Sequence, residues 1–114
     1  MEGLNTQYPE EKDGAEFTGN FVEGKRDGKG KLDYANKDNF DGTWANGMKK
    51  NGTYTWNNGD VFEGEFKNDK MSYGELRWKS GGSYKGTFVD DKREGNGIMT
   101  FKDGGNYTGQ WMNN

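Results

Sequence analysis

A five-residue pattern, aromatic-x-Gly-x-aromatic, recurs five times in this chain: FTGNF from Phe17, FDGTW from Phe40, FEGEF from Phe62, YKGTF from Tyr84 and YTGQW from Tyr107. Successive copies start 23, 22, 22 and 23 residues apart. A fixed period of this length restricts the chain to repeat architectures, in which each unit buries its apolar side against its neighbours. A second pattern, Gly-x-apolar-x-aromatic, fills each gap: GKLDY from Gly30, GTYTW from Gly52, GELRW from Gly74 and GIMTF from Gly97. The two patterns absorb 15 of the 17 aromatic residues, leaving out only Tyr8 and Tyr73, so the period organises the whole apolar inventory. The chain reads as four and a half repeats over residues 13–114, starting near 14, 37, 59, 81 and 104, after a polar segment 1–12.

Both patterns alternate with period two, the signature of strands with two distinct faces. The segments between them (EGKRDGK, NGMKKN, NDKMSY, DDKREGN) are rich in turn residues. Each repeat is therefore a β-hairpin with a connecting turn, and the predicted fold is all-β, an elongated single-layer antiparallel sheet of stacked hairpins. The repeat core comprises Phe17, Gly19, Phe21, Phe40, Gly42, Trp44, Phe62, Gly64, Phe66, Tyr84, Gly86, Phe88, Tyr107, Gly109 and Trp111. Glycine weakens a strand interior. Its place between two aromatics is expected to leave room for a ring from the next hairpin. The second and third repeats are one residue shorter, and the difference is expected in the hairpin turn.

Hydrophobic residues make up only 28% of the chain, a composition that drifts towards disorder, but 15% aromatic residues oppose that reading. The length suits one domain. Neither cysteine nor histidine is present, which excludes disulfides, thiolate metal sites and histidine-based nucleophile pairs. We expect no catalysis, cofactor or metal site. A net charge of −3 argues against general nucleic-acid binding. No apolar run suggests a secretory signal or a membrane-spanning helix, so a cytoplasmic location is expected. GKRDGKG (residues 24–30) resembles a phosphate loop only superficially. The spacing is wrong, Gly30 follows Lys29 where Ser or Thr is required, and no helix follows. The stretch from Lys37 to Gly42 begins like a calcium loop, yet its first ligand position is a lysine.

With both patterns in register over residues 13–114, the chain resembles the MORN (membrane occupation and recognition nexus) repeat family. The resemblance implies a rod of hairpins, roughly 40 to 45 Å long at two strands per repeat. It also implies a non-catalytic scaffold or dimerisation module and, among locations, the cytoskeleton or cilium.

Three functional readings follow. In the first, a partner protein supplies a helix or peptide to an aromatic groove for which Tyr34, Tyr54, Trp56, Trp78, Phe101 and Trp111 are the candidates. The fifth core ends at Trp111 without a second strand. Such an open sheet end could also pair with another copy, giving a homodimer. In the second, Lys25, Arg26, Lys49, Lys50, Lys70, Lys92 and Arg93 at the hairpin tips form a basic stripe for anionic phospholipid. Asp27, Asp69, Asp90, Asp91 and Glu94 lie among them and cancel much of its field. In the third, the array is a regulatory segment of a larger enzyme.

Overall fold

The computed structural model describes residues 6–10, as backbone, and 15–111. Ten strands follow one another in a single antiparallel sheet, each paired with the next: β1 (Thr6–Glu10), β2 (Ala15–Val22), β3 (Lys25–Asp33), β4 (Asn39–Ala45), β5 (Met48–Thr55), β6 (Val61–Lys67), β7 (Lys70–Arg77), β8 (Ser83–Val89), β9 (Lys92–Thr100) and β10 (Asn106–Trp111). The molecule measures 50 × 24 × 20 Å. The polar lead-in is not wholly separate from the array, because Thr6–Glu10 adds a strand beside β2, with Tyr8 opposite Phe17.

Among the described residues, the four hairpin turns are alike. Each has two residues, both at positive φ: Glu23–Gly24, Asn46–Gly47, Asn68–Asp69 and Asp90–Asp91. This backbone has the twist that a tight hairpin needs, and Gly, Asn and Asp are the residues that adopt it most readily. Lys25 and Arg26 of GKRDGKG already belong to β3, so the stretch is a turn leading into a strand.

The length difference between repeats is therefore not in the turn, contrary to the sequence expectation. It lies in a β-bulge. Between the pairs Gly19–Gly30 and Phe21–Arg26, β3 carries two more residues than β2, and β9 does the same against β8. Gly28 and Gly95 sit in these wider bulges with φ of 82° and 78°. Opposite β4 and β6 only one residue is extra, Lys50 or Ser72.

The glycines fall into one row. Gly19, Gly30, Gly42, Gly52, Gly64, Gly74, Gly86, Gly97 and Gly109 oppose one another, strand after strand, across nine strands. Their ring neighbours correct one expectation. The ring on each glycine pair comes chiefly from the same hairpin. Phe40 covers Gly42 and Gly52, Phe62 covers Gly64 and Gly74, and Tyr84 covers Gly86 and Gly97. A ring two residues before a glycine on the same face leans along the strand into the space that a Cβ would fill.

Above this row the rings form one continuous herringbone. The order is Phe21, Phe17, Trp44, Phe40, Phe66, Phe62, Phe88, Tyr84, Trp111 and Tyr107. Neighbouring centroids are 5.1 to 5.7 Å apart, and the planes are nearly perpendicular at 80° to 89°. Edge-to-face contact places the positive edge of one ring on the negative face of the next, adding to the area they bury. Phe40, Phe62 and Tyr84 are 0% exposed. Leu32, Met71 and Met99 complete two core clusters, which Tyr54 and Phe66 bridge.

Successive hairpin tips are stitched by aspartates. Asp69 accepts the Lys49 backbone N–H at 2.8 Å, and Asp91 accepts that of Met71 at 2.9 Å. Asp27 accepts from Asn46 N–H at 3.3 Å, where Gly47 N–H also donates to the Arg26 carbonyl at 2.9 Å. The tip carboxylates thus cross-link neighbouring repeats as well as offset charge.

Candidate functional site

The connecting turns place a second aromatic row. Tyr34, Trp56, Trp78 and Phe101 each start a turn closed by the same pair of backbone bonds, for example Trp56 N–H to the Asp60 carbonyl and Gly59 N–H to the Trp56 carbonyl, both 2.9 Å. Tyr34 lies 5.6 Å from Tyr54, and Tyr54 lies 4.8 Å from Trp56, with tilted planes. These three rings are only partly buried.

They line a cavity of about 350 Å³ together with Phe66, Met71, Lys49, Asp69 and Asp91. Tyr34 and Trp56 stand at the connecting-turn ends of the strands, whereas Asp69 and Asp91 stand at the opposite, hairpin-tip ends. Both ends can line one cavity only because the sheet curls, so the aromatic face is concave and forms a trough. The curl gives this single layer its own cover.

Asp38 fixes the floor. It is buried and accepts the Tyr54 hydroxyl at 2.8 Å and the Asn57 backbone N–H at 2.7 Å. Asp60 makes the same reach one repeat later, accepting from Lys79 N–H at 2.9 Å. The sequence signal for both was the Asn-x-Asp at positions 36–38 and 58–60, one step apart in the period. The resemblance to a calcium loop begins at Lys37 and rests on Asn39 and Asp41, so it does not single out the pair Asn36 and Asp38.

Lys49 closes the trough from the tip side. Its side chain is 12% exposed, its ammonium stands 3.7 Å from Asp69, and it lies about 6 Å from the rings of Tyr34, Phe40, Trp44 and Phe66. Burial lowers its pKa, against the pull of Asp69. Arg26 lies 5.1 Å over both Phe17 and Trp44, and Arg93 lies 4.8 Å over Trp111 and 5.6 Å over Trp78. These contacts are cation–π pairs. The anticipated basic stripe is consequently divided. Arg26, Lys49 and Arg93 turn onto the aromatic face, while Lys25, Lys50, Lys70 and Lys92 stay exposed.

The structure gathers Tyr34, Tyr54 and Trp56 at the cavity, with Trp78 one repeat along the same row. Phe101 is 48% exposed beyond the cavity, and Trp111 belongs to the herringbone. Phe66, Met71, Lys49, Asp69 and Asp91 were not foreseen as lining. Their part depends on the curl, which no local pattern encodes.

The tyrosines give the trough a pH signature. Burial, then the charge of Asp69, pushes Tyr34 up to about 12, and burial with the bond to Asp38 raises Tyr54 further. A phenol whose folded pKa exceeds its unfolded value of 10 contributes stability that is complete below pH 10 and lost as pH rises towards 12. Lys49, whose pKa burial lowers from its ordinary 10.5, acts in the opposite sense. Tyr34→Phe should therefore flatten the fall in melting temperature between about pH 10 and 12. Thermal melts across that range check this, and an unchanged slope would contradict it.

A family model for the MORN repeat matches residues 17–39, 40–61, 62–83 and 84–106, each span starting at the first aromatic of a core. The chain belongs to the MORN repeat family. The fold agrees, since each matched span is one hairpin and its connecting turn. A search of curated proteins returns no match. In MORN terms, the herringbone and glycine row are the repeat's structural core, and the trough is the surface that its second strands and connecting turns leave available.

Proposed function

We propose that this MORN array is a non-catalytic scaffold that holds a polypeptide partner in its trough. The supporting observation is the cavity itself. The first aromatic row is largely sealed, whereas Tyr34, Tyr54 and Trp56 present partly exposed rings on a concave surface pinned by Asp38. Concave aromatic sites with a few fixed polar groups suit an anchoring side chain. Among the lining residues two carboxylates, Asp69 and Asp91, face one ammonium, Lys49. The fitting occupant is a short amphipathic segment that inserts one large apolar side chain and sets a basic residue beside it.

Selection of displayed peptides against the recombinant chain tests this reading. Enriched peptides should carry an apolar anchor with a basic neighbour. Trp56→Ala should weaken their binding about 30-fold, the loss of a central hot spot of about 2 kcal/mol. Failure to enrich such peptides, or binding indifferent to Trp56→Ala, would remove the trough as the partner site.

A further inference from the structure

The trough is walled for a positive charge as well as for an apolar group. Tyr34, Tyr54, Trp56 and Phe66 bring four rings to one cavity, and Asp69 and Asp91 bring two carboxylates. The rings already hold one cation. The Lys49 ammonium stands 6.0 Å from the Tyr34 centroid and 5.9 Å from that of Phe66, within the reach of a cation–π contact. Lys49 does not fill the site, since about 350 Å³ stays open beside it, lined also by Tyr54 and Trp56. Both of these are held before any ligand arrives. The Tyr54 hydroxyl donates to Asp38 at 2.8 Å, and the Trp56 backbone is fixed by the two 2.9 Å bonds of its turn. The Tyr34 and Tyr54 planes are inclined at 40° and those of Tyr54 and Trp56 at 51°, so these rings do not form a flat platform.

Two carboxylates against one ammonium leave the lining one negative charge in excess, so one further cation balances it. The acceptors decide what form that cation takes. A primary ammonium brings three N–H donors. The carboxylates here are already engaged: Asp91 by Met71 N–H at 2.9 Å, Asp69 by Lys49 N–H at 2.8 Å, and Asp38 by the Tyr54 hydroxyl and Asn57 N–H. A trimethylammonium has no donor to satisfy and lays its methyl groups on the ring faces. It also supplies apolar bulk and positive charge in a single side chain. We propose that the trough is an aromatic cage for a trimethylated lysine of the partner polypeptide. This rests on the trough being the partner site and names the anchor it takes. A choline lipid carries the same cation, but its phosphate would follow that cation towards Asp69 and Asp91, whereas a lysine stem carries no anion.

Three single residues, each acetylated and amidated, test the cage without any peptide sequence: lysine, trimethyllysine and the uncharged tert-butyl analogue in which carbon replaces the nitrogen. Each is titrated to millimolar concentration against the recombinant chain, and the Trp56 indole resonance is followed by NMR. Trimethyllysine should bind about tenfold more tightly than either of the others. Trp56→Leu removes a ring face and keeps apolar bulk, and Asp91→Asn removes a charge and keeps an oxygen for Met71 N–H. Each should shrink the preference for trimethyllysine, with thermal melts confirming that the variants are folded. An analogue that binds as well as trimethyllysine overturns the cage, as does lysine binding equally well or no binding by any of the three. A preference that survives in both folded variants overturns the placement at the trough. Phosphatidylcholine vesicles that capture the chain and displace trimethyllysine would overturn the polypeptide source in favour of a lipid head. The two readings fail separately: peptides enriched by display can still occupy a trough that ignores methylation, and these titrations stand if display enriches none.

Discussion

Gly42→Ala should destabilise the array by about 4 kcal/mol or more, a large part of the stability of a small domain. The backbone at Gly42 has no unusual φ, so the cause is space alone. A Cβ there would lie 2.2 Å from the Asn51 carbonyl oxygen, 2.6 Å from Gly52 Cα and 2.9 Å from the Phe40 ring. Two of those neighbours are backbone atoms of the paired strand and cannot move without opening the ladder. The third is the ring that seals the hairpin. Overpacking ordinarily costs about 1 to 3 kcal/mol, because side chains can shift; here they have little room to do so. Gly24→Asp is the control. Its Cβ would meet nothing within 4 Å, and Asp69 and Asp91 hold the same turn position elsewhere with φ of 65° and 63°. That change should stay within about 1 kcal/mol. Urea titration of both variants separates the cases, and similar midpoints for the two would refute the steric argument.

Phe40→Ala should cost about 4 kcal/mol, at the upper part of the range for deleting a buried ring. Phe40 has no exposed surface and packs edge-to-face against Trp44 and Phe66. Through Phe66 it joins the two core clusters. Stability in a linear array is a sum of unit and neighbour terms, so a cut in the middle weakens coupling as well as packing. The expected readout is a broadened or split urea transition, because the N-terminal and C-terminal clusters can then unfold separately. Tyr107→Ala, in the same repeat position but half exposed, should cost about 1 kcal/mol and leave one transition. A single sharp transition for Phe40→Ala would show that the clusters are coupled by some other route.

The repeat, its hairpins and its core rings were legible because period-two alternation and the spacing of FDGTW and its copies are local patterns that survive into the fold. The glycine row was half legible. Each core glycine was visible as a space, yet which ring fills it depends on the lean of a side chain along its own strand, and the next hairpin was the wrong source. The length difference was misplaced because Gly28 looks like a turn residue and in fact serves a bulge. At the candidate site, Tyr34, Tyr54 and Trp56 could be nominated by position. Asp69 and Asp91 could not, since they come from the far end of other strands and reach the cavity only when the sheet curls.

The bulges bear on how such a gene can change length. Inserting one residue in an ordinary strand would send every later side chain of that strand to the wrong face. Here the hairpins already exist in two versions, with one or two spare residues, and the glycine row keeps its phase in both. Loss of the single codon for Gly28 would convert the first hairpin to the spacing of the second. In-frame indels at these positions are thus mutations that the array can absorb, whereas the same indels a few codons away would scramble it.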